Sequence, residues 1–458
     1  MSQHFRLLVE PSDDLFFHLP KTLLSIPEQL SITFGNQQRS VKCQTNTTDE
    51  LLISQALQNQ LRLPATLTEV PLWLDSDEKS VKIGPLVGIV TAGFMDDANS
   101  PLGKRSAAFK QLLQHGITTG VLPFVFGHHH VDWQALTVTA WTLVDDEWER
   151  ATFPFPEVIY DKIPNRQIEE RYEFTALRYK TTKELHIPWF NNGFFNKEDI
   201  YAKLLQGTKT KALLPETLLS PDRLSAEAFL EKYDTVYIKP STGSFGRGIF
   251  YVTKEDKGQY ACAYYSQDKT IQKHGLSFSQ LFAIISDAGI RLDGCVLQEG
   301  IALHKHQGRP VDYRVHMNKD EKGVWQLSGI AAKLALVDNP TTHIKHGGTV
   351  LPAEHVLGRD ASKRDKKNKM IQQAFDVCQW LDHHYNEEIG EIGIDMAESE
   401  SQQWYVIEVN SKPGKSAFSH PALSGELSTV QKMPFAYAKH LSKQNRKRML
   451  TSPPSHTT

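Results

Sequence analysis

Residues 236–252 read VYIKPSTGSFGRGIFYV, a glycine-rich loop held between two runs of apolar and aromatic residues. Gly243, Gly246 and Gly248 free the backbone, and successive N–H groups in such a loop can converge on phosphate oxygens. The element after the loop discriminates between folds. The dinucleotide fingerprint and the Walker A loop both lead into a helix N-terminus. Here the loop leads into IFYVT, β-branched and aromatic, so the next element is a strand and the loop closes a hairpin. Lys239, just before the loop on the incoming strand, suits a lid over phosphates. Alternation alone puts Val236 and Ile238 on a core face and leaves Tyr237 and Lys239 on a wet one, which a purely structural hairpin satisfies equally.

A second half decides the matter. IGIDMAESESQQWYVIEVNSKPG at 392–414 holds two strand-like runs joined at a polar turn. Asp395 on the first run can face Glu408 on the second, and Glu408 and Asn410, two apart, point to the same side. Tyr405, Ile407 and Val409 are expected to fill the opposite face. Carboxylates on an otherwise apolar strand are costly to desolvate unless a cation meets them. Three oxygen ligands, two of them anionic, are what Mg²⁺ prefers, with waters and phosphates completing its octahedron. Between the halves lies CVLQEGIALHKHQGRPVDYRVHMNKD at 295–320. Its first strand ends in Gln298, Glu299, Gly300 and Ile301, a hinge whose backbone and carboxylate can read an adenine edge and a ribose. Asp312 and Arg314 share a strand face, and the guanidinium can grip phosphate oxygens or serve a structural salt bridge.

The chain around these pieces has 458 residues, 40% of them hydrophobic, enough for two to four domains at about 100–200 residues each. Fifty-one basic against fifty-three acidic side chains give a net charge of -2, so no global field favours nucleic acid or an anionic membrane. Cys43, Cys262, Cys295 and Cys378 lie far apart in or beside apolar sequence and read as reduced core thiols. No apolar run approaches the ~18 residues of a membrane span, and MSQHFRLLVEPSDD does not resemble an export signal, so a soluble, cytoplasmic protein is expected.

Residues 1–83 alternate in short segments and predict a small β-rich domain. Residues 84–195 predict an α/β domain: VGIVTA as a buried strand, a helix carrying Leu102, Ala108, Phe109, Leu112 and Leu113 and ending at Gly116, then VLPFVF and VIY as further strands. Residues 196–442 hold the pieces already described. The basic, then Ser-, Thr- and Pro-rich stretch 443–458 is expected to be disordered.

In order, N-K (196–197), L-P-E-T (214–217), Y-I-K-P (237–240), G-S-F-G-R-G (243–248), Q-E-G-I (298–301), D-Y-R (312–314), G-I-D (393–395) and E-V-N-S-K-P-G (408–414) resemble the motifs of ATP-grasp enzymes. More narrowly the chain resembles the YheC/YheD family of endospore coat-associated proteins, and upstream FPFPEVIYDKIPNR at 153–166 extends the match. The resemblance implies a multidomain α+β and α/β protein. An ATP-grasp fold, two α+β subdomains clasping ATP, would follow an α/β pre-ATP-grasp domain and the small β-rich domain. By position, Lys197 and Lys239 would touch the α- and β-phosphates, with Gly243, Ser244, Phe245, Gly246, Arg247 and Gly248 covering them. Gln298, Glu299, Gly300 and Ile301 would hold the adenosine. Asp395, Glu408 and Asn410 would ligate Mg²⁺, with Mn²⁺ able to substitute, and Arg314 and Lys333 would act at the γ-phosphate. Lys333 stands where such enzymes often have arginine, and HGG at 346–348 lacks the asparagine of some relatives.

The activity so implied is ligation of a carboxylate to an amine through an acyl phosphate, the substrates being an amino acid, peptide or protein. Association with the spore is implied too. An ATP-binding scaffold of the spore coat without turnover, or a phosphotransferase, would use the same parts. Asp161, Lys162 and Arg166 are candidates for the acceptor site or, equally, for interdomain salt bridges. His128, His129 and His130 are consecutive and cannot all face one ion from a strand; they read as a polar surface loop. Oligomeric state is left open.

Overall fold

The computed structural model describes residues 3–23, 29–75, 80–242, 248–266, 269–335, 348–358 and 361–451, apart from the side chains of 361–363 and 447–451. Gly243, Ser244, Phe245, Gly246 and Arg247, together with 346–347 of HGG, lie outside the described residues. Among the described residues no helix is long and apolar enough to cross a membrane, and all four cysteines are buried and unpaired.

The alternating segments at the start of the chain close into a seven-stranded barrel filled by Phe17, Ile32, Phe34, Ile53 and Val81. Closure removes the unpaired edges an open sheet of this size would carry. Next comes a seven-stranded sheet whose parallel part runs Leu122–Phe126, Leu86–Val90, Val158–Asp161, Trp189–Phe190. Leu86–Val90 is buried at every position because both faces of this sheet are covered. One face shares its core with the barrel, and the other packs on the helices Ser106–Thr119 and Ser424–Thr451.

Two expectations fail on these helices. Ser106–Thr119 runs through Gly116 and is capped instead by Gly120, at φ 82°. Gly116 is a contact glycine: a Cβ there would lie 2.9 Å from Pro123 and 3.0 Å from the Phe435 ring. The stretch from Lys443, expected to be disordered, is helical as far as Thr451, and 452–458 lie outside the described residues. The physical reason is docking. Lys82 Nζ donates to Ser442 Oγ at 2.8 Å, and Arg446 donates to Ser80 Oγ at 2.7 Å, so the barrel anchors the end of the helix.

Two further sheets meet through side chains of Lys239 and Lys197, which reach Ile407 O and Glu408. The first runs Thr217–Leu219, Cys295–Glu299, Thr235–Pro240, Phe250–Lys254, Tyr260–Ser266, Lys269–Leu276. Its Thr235–Pro240 and Phe250–Lys254 strands pair Val236 with Val252 and Ile238 with Phe250, the hairpin read from the sequence. The second runs Thr349–Pro352, Trp325–Leu334, Arg309–Lys319, Glu391–Glu398, Trp404–Asn410. Asp395 pairs with Glu408, but Met396 pairs with Val406, so Ile407 is the extra residue of a β-bulge. The bulge corrects the expected core face: Trp404, Val406 and Val409 are buried, whereas Tyr405 and Ile407 are only half-buried.

Phe435 is fully buried between the Ser424–Thr451 helix, Gly116 and the Tyr160 ring. Phe435→Ala is therefore expected to cost about 3–5 kcal/mol in urea unfolding; a loss under about 1 kcal/mol would show that this helix is not part of the core.

Candidate active site

Asn196 caps the Lys197–Gln206 helix, its side-chain oxygen accepting from Glu198 N at 2.9 Å and Asp199 N at 3.3 Å. The cap fixes the first helical residue. Lys197 donates its backbone N–H to Ser241 O at 2.9 Å, beside the glycine loop, and its Nζ lies 2.9 Å from Glu408 Oε1.

Lys239 is not on a wet face. It is 5% exposed, because the second sheet covers it. Its Nζ donates to Gln298 Oε1 at 2.6 Å and to Ile407 O, at the bulge, at 3.4 Å. Burial pushes Lys239 down to about 8, with Glu408 and Asp395 opposing that shift and Lys197 adding to it.

Arg314 and Lys333 converge on Asp395. The guanidinium is bidentate, Nε to Oδ1 at 2.7 Å and Nη2 to Oδ2 at 3.0 Å, and Lys333 Nζ lies 3.0 Å from Asp395 and 2.8 Å from Asp312. Burial alone would raise Asp395, but the two cations outweigh it and hold the carboxyl well below its usual range. Asn410 sits in register with Gly393 on the same hairpin. The structure thus gathers Lys197, Lys239, Arg314, Lys333, Asp312, Asp395 and Glu408 into one cluster between two sheets. Among the described residues no three His, Cys, Asp or Glu side chains group as a metal site; the candidate set holds two carboxylates and an amide.

At the expected adenine hinge, Gln298 is buried and turned to Lys239. Glu299 exchanges backbone contact with Glu216 of L-P-E-T, N to O at 2.9 Å, and its Oε2 accepts from Glu216 N at 3.3 Å. Gly300 donates to Thr235 O at 2.8 Å, and a Cβ on it would lie 2.3 Å from Thr235 Cγ2, so only glycine fits. Ile301 is half-buried just beyond. Gly248 has φ 73°, ordinary for glycine at the end of the loop.

The acceptor candidates divide. Asp161 is buried and takes Lys412 Nζ at 2.6 Å and Trp189 Nε1 at 3.1 Å, and Arg166 donates to the carbonyls of Phe194 and Phe195. Both are joints between the α/β sheet and the clasp. His128–His130 form a 3₁₀ turn rather than a simple surface loop, with His130 half-buried against Phe94 and its Nδ1 accepting from Gly127 N.

Sequence reasoning missed another buried carboxylate, Glu391. Tyr160 donates to it at 2.6 Å and His316 Nε2 lies at 2.9 Å, with Lys162 Nζ at 3.8 Å. Like Asp395, Glu391 is a carboxylate on an apolar strand, and the same desolvation cost was the signal that marks it. Burial would raise Glu391, but Lys162, Lys415 and His316 overcome it and hold the carboxyl well below its usual range. An unfolded chain protonates this group first as pH falls through about 4.3. Its stabilisation is therefore complete above that value and lost as pH falls toward the depressed native value. Glu391→Gln is expected to flatten the acid limb of stability measured by urea unfolding between about pH 5 and 3; an unchanged limb would refute the assignment.

A family model described as YheC/D like ATP-grasp matches residues 186–441. The chain is similar to endospore coat-associated protein YheD of Bacillus subtilis (strain 168), 34% identical over 403 residues that cover 88% of this chain and 87% of that protein. Endospore coat-associated protein YheC of the same organism is 21% identical over 339 residues, 71% of this chain and 89% of that protein. Among solved structures, the D-alanine-D-alanine ligase from Coxiella burnetii is similar with a TM-score of 0.43 and 12% identity, over 80% of this chain and 99% of that one. With the model spanning more than half of its length and the likeness to YheD running along most of it, this chain belongs to the YheC/D-like ATP-grasp family.

Proposed function

We propose that the protein is an ATP- and Mg²⁺-dependent ligase that joins a carboxylate to an amine through an acyl phosphate. The observation that carries this reading is the charge cluster between the two sheets. Lys197, Lys239, Arg314 and Lys333 stand against Asp312, Asp395 and Glu408, so cations exceed carboxylates by one among these seven side chains. Each cation paired here with a carboxylate is also a phosphate ligand in waiting. Asp395, held by Arg314 and Lys333, is kept ionised and ready for a metal.

The donor chemistry fits the metal: Asp395, Glu408 and Asn410 offer hard oxygens on adjacent, paired strands. When bound there, Mg²⁺ supplies neutralisation of the phosphate charge. The chain's own residues do the rest. Lys239, fixed by Gln298 and the Ile407 carbonyl, presents one positive charge at the root of the glycine loop. Lys197 presents a second from its capped helix start. Arg314 and Lys333 stabilise the transferring phosphoryl group as a substrate carboxylate attacks it and ADP leaves, and the amine then displaces phosphate, losing a proton, to leave an amide. The work is positioning and electrostatics. The hinge at Glu299 and Ile301 receives the adenosine.

Calorimetry with ATP and Mg²⁺ is expected to show binding that chelation of the metal abolishes and that Lys239→Met or Glu408→Ala reduces at least tenfold. Lys239→Met is expected to stay folded, because Lys239 is bonded to the neutral oxygens of Gln298 and Ile407 rather than to a carboxylate, and an apolar chain of similar length fills its space. No magnesium-dependent ATP binding by the wild type would sink the reading. A screen of amino acids and short peptides for ADP release, with mass spectrometry of the product, separates ligation from phosphorylation alone or from binding without turnover.

A further inference from the structure

Along the Glu391–Glu398 strand, Glu391 and Asp395 share a face and lie four residues, or about 13 Å, apart. Between them sits Gly393, where a Cβ would fall 2.5 Å from Pro413, so the chain after Asn410 crosses the strand there. That chain brings Lys415 toward Glu391. Lys415 Nζ is buried and has no hydrogen-bond partner among the described residues. Burial pushes it down to about 8, with Glu391 opposing that shift and Lys162 adding to it. Lys412, three residues earlier, is fully used by Asp161 and Glu169 at 2.6 Å each.

Lys162 comes from the other side. It follows Val158–Asp161 at the carboxyl end of the parallel strands, its N–H bonded to Val90 O at 2.9 Å and its carbonyl to Thr91 Oγ1 at 2.9 Å. Leu86–Val90 has Leu122–Phe126 on one flank and Val158–Asp161 on the other, so this edge is a topological switch point, the place where open α/β sheets bind ligands. Two lysines therefore act on one glutamate, Lys162 from 3.8 Å and Lys415 through its charge alone. His316 adds no compensating charge of its own: it is held toward its neutral form by burial. A buried ammonium without an acceptor is costly, and an anion between the two lysines would supply one.

We infer that Lys162 and Lys415 form a carboxylate-binding subsite at the junction of the α/β sheet and the clasp, anchoring the free carboxylate of a peptide-like substrate. This carboxylate is not the one that is activated, since the strand separates the subsite from Asp395 by about 13 Å, the length of three to four extended residues. Glu391, braced by Tyr160 and His316, is a positioning residue that holds the lysines facing the ligand. The inference rests on the ligase reading for the identity of the ligand as a substrate.

Triglycine and triglycinamide are the probes, added at constant ionic strength in thermal unfolding of the full chain. Triglycine is expected to raise the wild-type melting temperature in a saturable way and the amide is not. Lys415→Met and Lys162→Met are each expected to raise the half-saturating triglycine concentration at least tenfold, and Lys415→Arg to restore it. Absence of a saturable shift in the wild type, an equal shift with the amide, or unchanged saturation in both Met variants would each overturn the subsite. Should a variant fail to fold, the acid and amide comparison on the wild type still decides. Calorimetry with ATP and Mg²⁺ on the same samples keeps the two readings apart. Absence of nucleotide binding by the wild type counts against the ligase, and absence of the triglycine effect alone counts against the subsite.

Discussion

Asp395 touches both Arg314 and Lys333, and those two side chains come from neighbouring strands of one sheet. Removing any member leaves a buried charge without its counter-charge, a loss of about 3–5 kcal/mol in comparable pairs. The cluster is therefore costly to keep and costly to break. Such an arrangement is weak evidence for stability as its purpose. Under the proposed ligase activity the pairing is exchanged, each cation giving up a carboxylate for a phosphate at one step. Lys239 adds to this picture, a buried cation whose bonded partners are the neutral oxygens of Gln298 and Ile407.

Much of this was legible in the sequence, for reasons of period and desolvation. The hairpin around the glycine loop is implied by the strand-forming residues after the glycines, and the facing of Asp395 and Glu408 by two runs joined at a short turn. Period-two reasoning then failed one residue away, at Ile407. A bulge adds a residue to one strand only, and nothing in YVIEVN marks where it falls. The burial of Lys239 was likewise invisible, because the surface covering it comes from a strand about 170 residues later. Gly116 was mistaken for a helix end because a glycine chosen for close packing and one chosen for left-handed backbone look alike in sequence.

Composition misleads in a similar way at the end of the chain. KQNRKRML has the make-up of a solvated tail, yet it extends a helix whose earlier turns carry Phe435, Tyr437, Ala438 and Leu441 into the core of the α/β sheet. Helices propagate more easily than they nucleate, so a well-packed beginning carries a polar continuation. Ser442 and Arg446 then find partners on the barrel. One element thus ties three of the four sheets together, as it also packs on the Arg309–Lys319 and Trp325–Leu334 strands.

The hinge glycine has a mechanical meaning. Gly300 is fastened to Thr235 in the sheet of Thr235–Pro240, while Ala302 O accepts from Glu400 N at 2.9 Å, beside the opposite sheet. Only Ile301 lies between these two moorings. The other covalent crossing is L-P-E-T, where Leu213 O accepts from Val406 N at 2.7 Å on one side and Glu216 meets Glu299 on the other. The two crossings lie against each other, so they define a single pivot line with a very short lever. Any swing of the Thr235–Pro240 sheet about that line would leave Glu299 and Ile301, at the axle, nearly in place.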